Sequence, residues 1–173
     1  MSVLQGPMRG PIGGSMVGGT RATSGGSTLL VGNTTSTQFV EVNENSLYYT
    51  SFVASASGVP ATIQIGVGAE IVANSIMAAI YDNAGTKIAE TASTTMTYDA
   101  LNTLTVLGGA GSITSGQTYH LAVMANGGWN VAVQNDSWIS KAVGVTYPTL
   151  PASVNPGSDS YSSVGTIKIY AYS

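Results

Sequence analysis

The stretch IMAAIYDNAGTKIAE, residues 76–90, constrains the fold of this chain more than any other. Successive side chains of an extended backbone point to opposite faces, so Ile76, Ala78 and Ile80 share one side. Asp82-Asn83-Ala84-Gly85 then supplies a tight turn. Asp and Asn side chains bond the backbone just ahead of them, and Gly85 takes a positive φ without a Cβ clash. Residues 87–90 run back, which makes the segment a β-hairpin. Ser115-Gly116-Gln117 is a second turn, feeding Tyr119, Leu121 and Val123 onto one face of another strand.

The same two-residue period recurs along the chain. Ile63, Ile65 and Val67 alternate with Thr62, Gln64 and Gly66, and Ile167, Ile169 and Ala171 with Lys168, Tyr170 and Tyr172. The pattern predicts strands over residues 37–42, 47–56, 61–67, 75–81, 87–91, 101–107, 118–124, 129–133, 142–146 and 165–172. Turn signals separate them: Asn43-Glu44-Asn45, Gly58-Val59-Pro60, Gly108-Gly109-Ala110-Gly111 and Asn126-Gly127-Gly128. No window sustains a helical period, although residues 67–76 leave room for one short helical turn. Residues 147–163, with three prolines and many serines, read as a long loop. Many short strands with closely spaced turns specify an all-β protein over residues 28–173, a β-sandwich or barrel.

Residues 1–27 differ from the rest. They hold eight glycines together with Pro7 and Pro11 and read as an extended Gly-rich arm. Leu4, Met8, Ile12 and Met16 are spaced along it as apolar anchors for assembly, and Arg9 and Arg21 as charged ones. The first carboxylate is Glu41, so the arm carries +2, while three lysines against eight carboxylates leave the body at −5. That body is a poor ligand for nucleic acid, because phosphate contacts need clustered Lys and Arg. No apolar run approaches the length that spans a bilayer, and the first twenty residues lack the apolar stretch of a signal peptide.

Only 8% of residues are charged, against roughly 25% in an ordinary soluble domain. Ser, Thr, Asn and Gly occupy positions where Lys and Glu usually sit. Such a surface opposes association weakly and suits an extracellular or particle-bound protein that packs against its neighbours. The chain has no cysteine, which removes disulfides and thiolate chemistry.

The segments LYYTSFVASASG, ATIQIGVGA, IMAAIYDNAGTKIAE and ITSGQTYHLAVM, in that order, resemble the jelly-roll modules of structural proteins in tailed bacteriophages. Ala79, Tyr81, Asp82 and Gly85 match the hairpin of that family. Ile113, Gly116, Tyr119, Leu121 and Ala122 match its later core strand, and His120 stands where the family often has Trp. The resemblance covers about residues 46–135. With the alternation it implies a single antiparallel β-sandwich of jelly-roll type over residues 28–173, and a non-enzymatic component of the virion exterior, of head-decoration, fibre or tail-associated type. It also implies a homotrimer in contact with other virion proteins such as a capsid or tail protein. A secreted or surface carbohydrate-binding module is the alternative, since similar hairpins occur in such sandwiches.

Chemistry-bearing residues are few. His120 is the only histidine, and its phase opposite Tyr119 and Leu121 reads as a solvent or inter-subunit position. No metal, cofactor or catalytic set is assigned. Asp82 is used by its turn, and Glu90 and Asp99 flank a Ser/Thr tract without forming a pair. Trp129 and Trp138 are candidates for stacking on a sugar or lying in an interface, which makes a host surface glycan a candidate partner. Trp129 is in phase with Val131 and Val133, and that phase reads as core. Tyr161, Tyr170 and Tyr172 read as lining a subunit contact or a sheet face.

Overall fold

The structure is a computed structural model that describes residues 27–36, 38–44, 46–69, 75–134, 139–143, 145–158, 160–162 and 166–173. In chain order the strands are β1 Leu29–Gly32, β2 Gln38–Val42, β3 Ser46–Val53, β4 Thr62–Val67, β5 Ser75–Asp82, β6 Lys87–Glu90 and β7 Thr94–Thr95. They continue with β8 Ala100–Thr105, β9 Thr118–Ala125, β10 Trp129–Gln134, β11 Ile139–Val143, β12 Ser160–Ser162, β13 Thr166–Ile167 and β14 Ile169–Tyr172. There is no helix among the described residues.

The strands form two antiparallel sheets packed face to face. The first aligns β1-β14-β4-β8, and β10, flanked by β2 and β13, joins it at the far end of β4. The second aligns β12-β11-β3-β9-β5-β6, with β7 beside the start of β5. Between them the chain crosses from sheet to sheet at almost every step, with β1, β4, β8 and β14 in one and β3, β5, β6 and β9 in the other. This interleaving is the strand order of a jelly roll.

The two-residue period builds the space between the sheets. Ile63, Ile65 and Val67 meet Ile76, Ala78, Ile80, Tyr119, Leu121 and Val123 in one cluster, closed by Leu104, Trp129, Val131, Ile167 and Ile169. The Asp82 turn forms as its residue types require. Its Oδ1 accepts from the N–H groups of Ala84 and Thr86, both at 2.9 Å, and Gly85 sits at φ +83°.

The other face of the second sheet is also buried. Leu47, Tyr49, Met77, Ala79, Tyr81, Ala122 and Met124 form a second apolar layer, covered by Leu150, Val154, Val145 and Tyr147. Residues 145–158 are therefore a strap laid over the sheet, not a free loop. They are fastened to the β5–β6 hairpin by hydrogen bonds. Lys87 N–H donates to Ala152 O at 2.9 Å, Val154 N–H to Gly85 O at 2.8 Å and Tyr81 Oη–H to Pro151 O at 3.0 Å. Lys87 Nζ reaches Leu150 O at 3.1 Å. Each strap side chain that is fully buried contributes about 1.5–3 kcal/mol.

Two expectations shift. The predicted loop ends in a strand, β12, paired to β11. The strand predicted at 142–146 lies at Ile139–Val143 instead, in register with β3 through Ser140–Tyr49 and Val143–Ser46. Val67 and Ile76 belong to β4 and β5, and residues 70–74 between them lie outside the described residues, as do residues 1–26 of the arm. β1 was not predicted, because Leu30 and Val31 are buried side by side and a β-bulge between Leu29 and Val31 breaks the alternation.

Two glycines make a test of the strap. Both Gly85 and Gly116 have positive φ, so alanine strains either backbone. A Cβ at Gly116 meets nothing within 4 Å, whereas one at Gly85 lies 2.2 Å from Val154 O. G116A should cost about 1 kcal/mol. G85A should cost roughly 3 kcal/mol or more, because the strap must also lift. Urea denaturation of the two variants checks the order; equal losses would mean that the strap does not bear on the hairpin.

Candidate functional site

The three carboxylates weighed from the sequence, Asp82, Glu90 and Asp99, have different surroundings. Asp82 is consumed by its turn. Glu90 pairs with Lys87 at 2.6 Å. Asp99 sits exposed in a turn at φ +49°, held by Asn102, which donates to Thr97 O and accepts from Thr97 N–H, both at 2.7 Å. Among the described residues no group of three His, Cys, Asp or Glu is arranged to hold a metal ion.

His120 is not the solvent-facing residue that its phase suggests. It does point away from the core between the sheets, but the second apolar layer lies on that side too, and it is only 4% exposed. Its Nδ1 shares a hydrogen bond with Ser51 Oγ at 2.7 Å, and Tyr49 meets its ring edge-on at 5.8 Å. Nε2 is buried with no hydrogen-bond partner. Burial lowers its pKa; the nearby Asn83 carbonyl and Asp82 carboxylate oppose that shift without overcoming it. No carboxylate hydrogen-bonds the far nitrogen of the ring, so the Ser51–His120 contact lacks the orienting third member of a Ser–His–acid arrangement.

Trp129 is 1% exposed within the core between the sheets, as its phase with Val131 and Val133 implies. It cannot stack on a ligand. Trp138 lies outside the described residues, as do the anchors Leu4, Met8, Arg9, Ile12, Met16 and Arg21. Tyr170 and Tyr172 pack edge to face at 5.5 Å on the outer side of the first sheet, with Tyr170 buried.

What the sequence reading missed is the exposed apolar side chains. The large ones are Phe39, Val53, Val59, Leu101 and Leu107. They divide between the two ends of the sandwich. Val53 closes β3, Val59 follows in the next loop, and Leu107 follows β8, at the end where the β5–β6 hairpin turns. Thr28, where the arm joins the body, is at this same end, since Thr28 O accepts from Ser173 N–H and Gly58 lies against Leu30 and Ser173. Phe39 and Leu101 lie at the opposite end, against the last residues of β4. The signal for Phe39 was available in its alternation with Val40. Only the pairing of Val40 with Val131 and Phe39 with Ala132 decides which of the two faces out.

No protein-family model matches the chain, and no curated protein sequence is significantly similar to it.

His120 makes stability depend on pH. The unfolded imidazole titrates near 6.5 and the folded one lower, so the unfolded chain takes up the proton first as pH falls. Stability is complete above pH 6.5 and drains as pH drops from there toward the folded pKa. The urea midpoint should therefore fall between about pH 7.5 and 5.5 in the parent and stay level in H120F. Because the chain has one histidine, an equal slope in both proteins would contradict the assignment.

Proposed function

We propose that this protein is a non-enzymatic structural component of a bacteriophage particle, a capsid-decoration or fibre/tail-associated protein on the virion exterior. It attaches through its N-terminal arm and assembles as a homotrimer. The observation that carries the reading is the relation between the two segments of the resemblance. Ala79, Tyr81 and Asp82 pair across the ladder with Ala122, His120 and Tyr119. Segments some forty residues apart thus form one unit, and Gly85 and Gly116 turn the chain at the same end of it.

The surface supports the same reading. Polar residues on the outer faces bond one another, as Gln64 Nε2 does to Thr103 Oγ1 at 3.1 Å, where ions would repel a neighbouring copy. Among the described residues Asp82 and Glu90 are taken up by structural contacts and His120 is buried, which supports the non-enzymatic reading. The end from which the arm departs also exposes Val53, Val59 and Leu107. The arm's two arginines oppose the acidic body of an adjacent copy or an acidic shell protein, an attraction of modest strength at exposed sites. Its apolar residues supply most of the affinity.

Mass spectrometry of purified particles from the source should find the chain, and its absence from them would overturn the proposal. Removal of residues 1–27 separates attachment from folding. By light scattering the full-length protein should be a trimer, and the truncated body should keep nearly the same melting temperature. Its incorporation into particles should drop several-fold. Normal incorporation of the truncated body would refute the tether, and a body that fails to fold would make the arm a strand of the core.

A further inference from the structure

Among the described residues Phe39 is the one large aromatic side chain that is exposed, and it has a fixed seat. A Cβ added at Gly68 would lie 2.6 Å from Phe39 Cδ1 and 3.0 Å from its Cε1, so the ring rests on the bare backbone of Gly68. That backbone is itself held: Gly68 N–H donates to Asn130 O at 2.9 Å, and Gly68 O accepts from Asp99 N–H at 3.1 Å. One side of the ring is therefore occupied while the side chain remains 57% exposed.

Beside the ring is a depression of about 190 Å³. Gly66 and Ala132 form its floor, and Lys168 and Leu101 stand along it, with Asp99 at its rim. The floor is open only because position 66 lacks a side chain. A Cβ there would meet Ala132 Cβ at 2.8 Å and Lys168 Cδ at 2.9 Å. Asp99 is the single non-glycine residue with positive φ among those described; its N–H is held by Gly68 O, and Asn102 fixes Thr97 at the start of the same turn. Backbone strain of this kind, fixed by its surroundings, recurs at ligand sites.

We propose that this depression binds a saccharide ring. A sugar presents an apolar face of C–H groups and a rim of hydroxyls. The first suits a seated aromatic ring, and the second suits an ammonium donor and a carboxylate acceptor set around it. The chain carries only 8% charged residues, yet Lys168 and Asp99 both line this one groove. Docking of a protein fits less well, because Phe39 and Leu101 are the only large exposed apolar side chains at this end of the described structure. A protein interface core needs a wider apolar area. The volume suits one ring, so the ligand class is a monosaccharide unit or the terminal residue of a surface glycan. The inference does not rest on the particle reading: a virion protein and a free binding module would use the groove alike.

Saturation-transfer NMR of the full chain tests it, with the methyl glycosides of glucose, galactose, mannose and N-acetylglucosamine at millimolar concentration as probes. At least one should receive saturation on the C–H protons of one ring face. F39A should weaken that binding about tenfold or more. G68A keeps the aromatic ring but displaces it from its seat, and it should weaken binding as well. K168A should reduce affinity several-fold, and it reads the site if F39A fails to fold. No transfer to any probe would overturn the proposal, and so would undiminished transfer in folded F39A. If F39A instead lowers the mass of the assembly by light scattering while no probe binds, the face is a contact between copies and the saccharide site is wrong. None of these outcomes alters whether the protein is found in particles.

Discussion

The pairing of β5 with β9 is the constraint on which the rest of the molecule depends. Seven residue pairs join the two strands, from Ile76–Ala125 to Asp82–Tyr119. Both faces of the pair are apolar and both are covered. Ile76, Ala78, Ile80, Leu121 and Val123 look into the sandwich. Met77, Ala79, Tyr81, Ala122 and Met124 look out beneath the strap. An antiparallel sheet commonly leaves one face to water. Here neither face can be wetted without exposing a row of large side chains, so the strap is a requirement of the sequence of β5 and β9. Its own attachment falls on the hairpin that β5 begins, through Gly85, Lys87 and Tyr81.

His120 shows what this arrangement does to a polar residue. On a one-faced sheet it would meet water. Under two layers it keeps one hydrogen bond, to Ser51, and leaves Nε2 unsatisfied. A buried polar atom without a partner costs about 1–3 kcal/mol. The edge contact with Tyr49 gives that position an aromatic environment. Thr50 is buried on the opposite face, beside Leu121 in the core between the sheets, and its Oγ1 is likewise without a partner. These residues are parts of the scaffold, and the large apolar side chains that reach solvent among the described residues lie instead at the two ends of the sandwich.

Most of the fold was legible because it rests on local periods and turns. The Ile63, Ile76 and Ile167 series, the Asp82 turn and the Gly116 turn stand where alternation puts them. The second layer was not read, although a sign of it was present. The runs IMAAIY and LAVMA have no polar residue on the alternate positions, which is the mark of a strand buried on both sides. What could not be read locally was the strap that answers those runs, since its contacts are made by residues some seventy positions away from Tyr81. The groove at Phe39 depends on long-range pairing in the same way. Gly66, Gly68, Ala132 and Lys168 come from three separate stretches of chain, and no spacing in the sequence announces that they meet. Trp129 and Trp138 drew notice as aromatics beside polar loops, yet Phe39 is the ring that the described structure leaves free.

Residue-level hydrogen exchange under native conditions tests the central claim most directly, which is that a doubly buried β5–β9 pair is the spine of the molecule. The amides of β5 and β9 at Ala78–Ile80 and Leu121–Met124 should be the slowest in the chain, exchanging only when the whole domain unfolds. The Lys87 and Val154 amides, which tie strap to hairpin, should be protected well beyond that of the exposed turn at Gly109. If β5 and β9 exchange as fast as β1 or β8, or if the strap amides exchange as freely as that turn, then the outer layer is not a core and the account is contradicted.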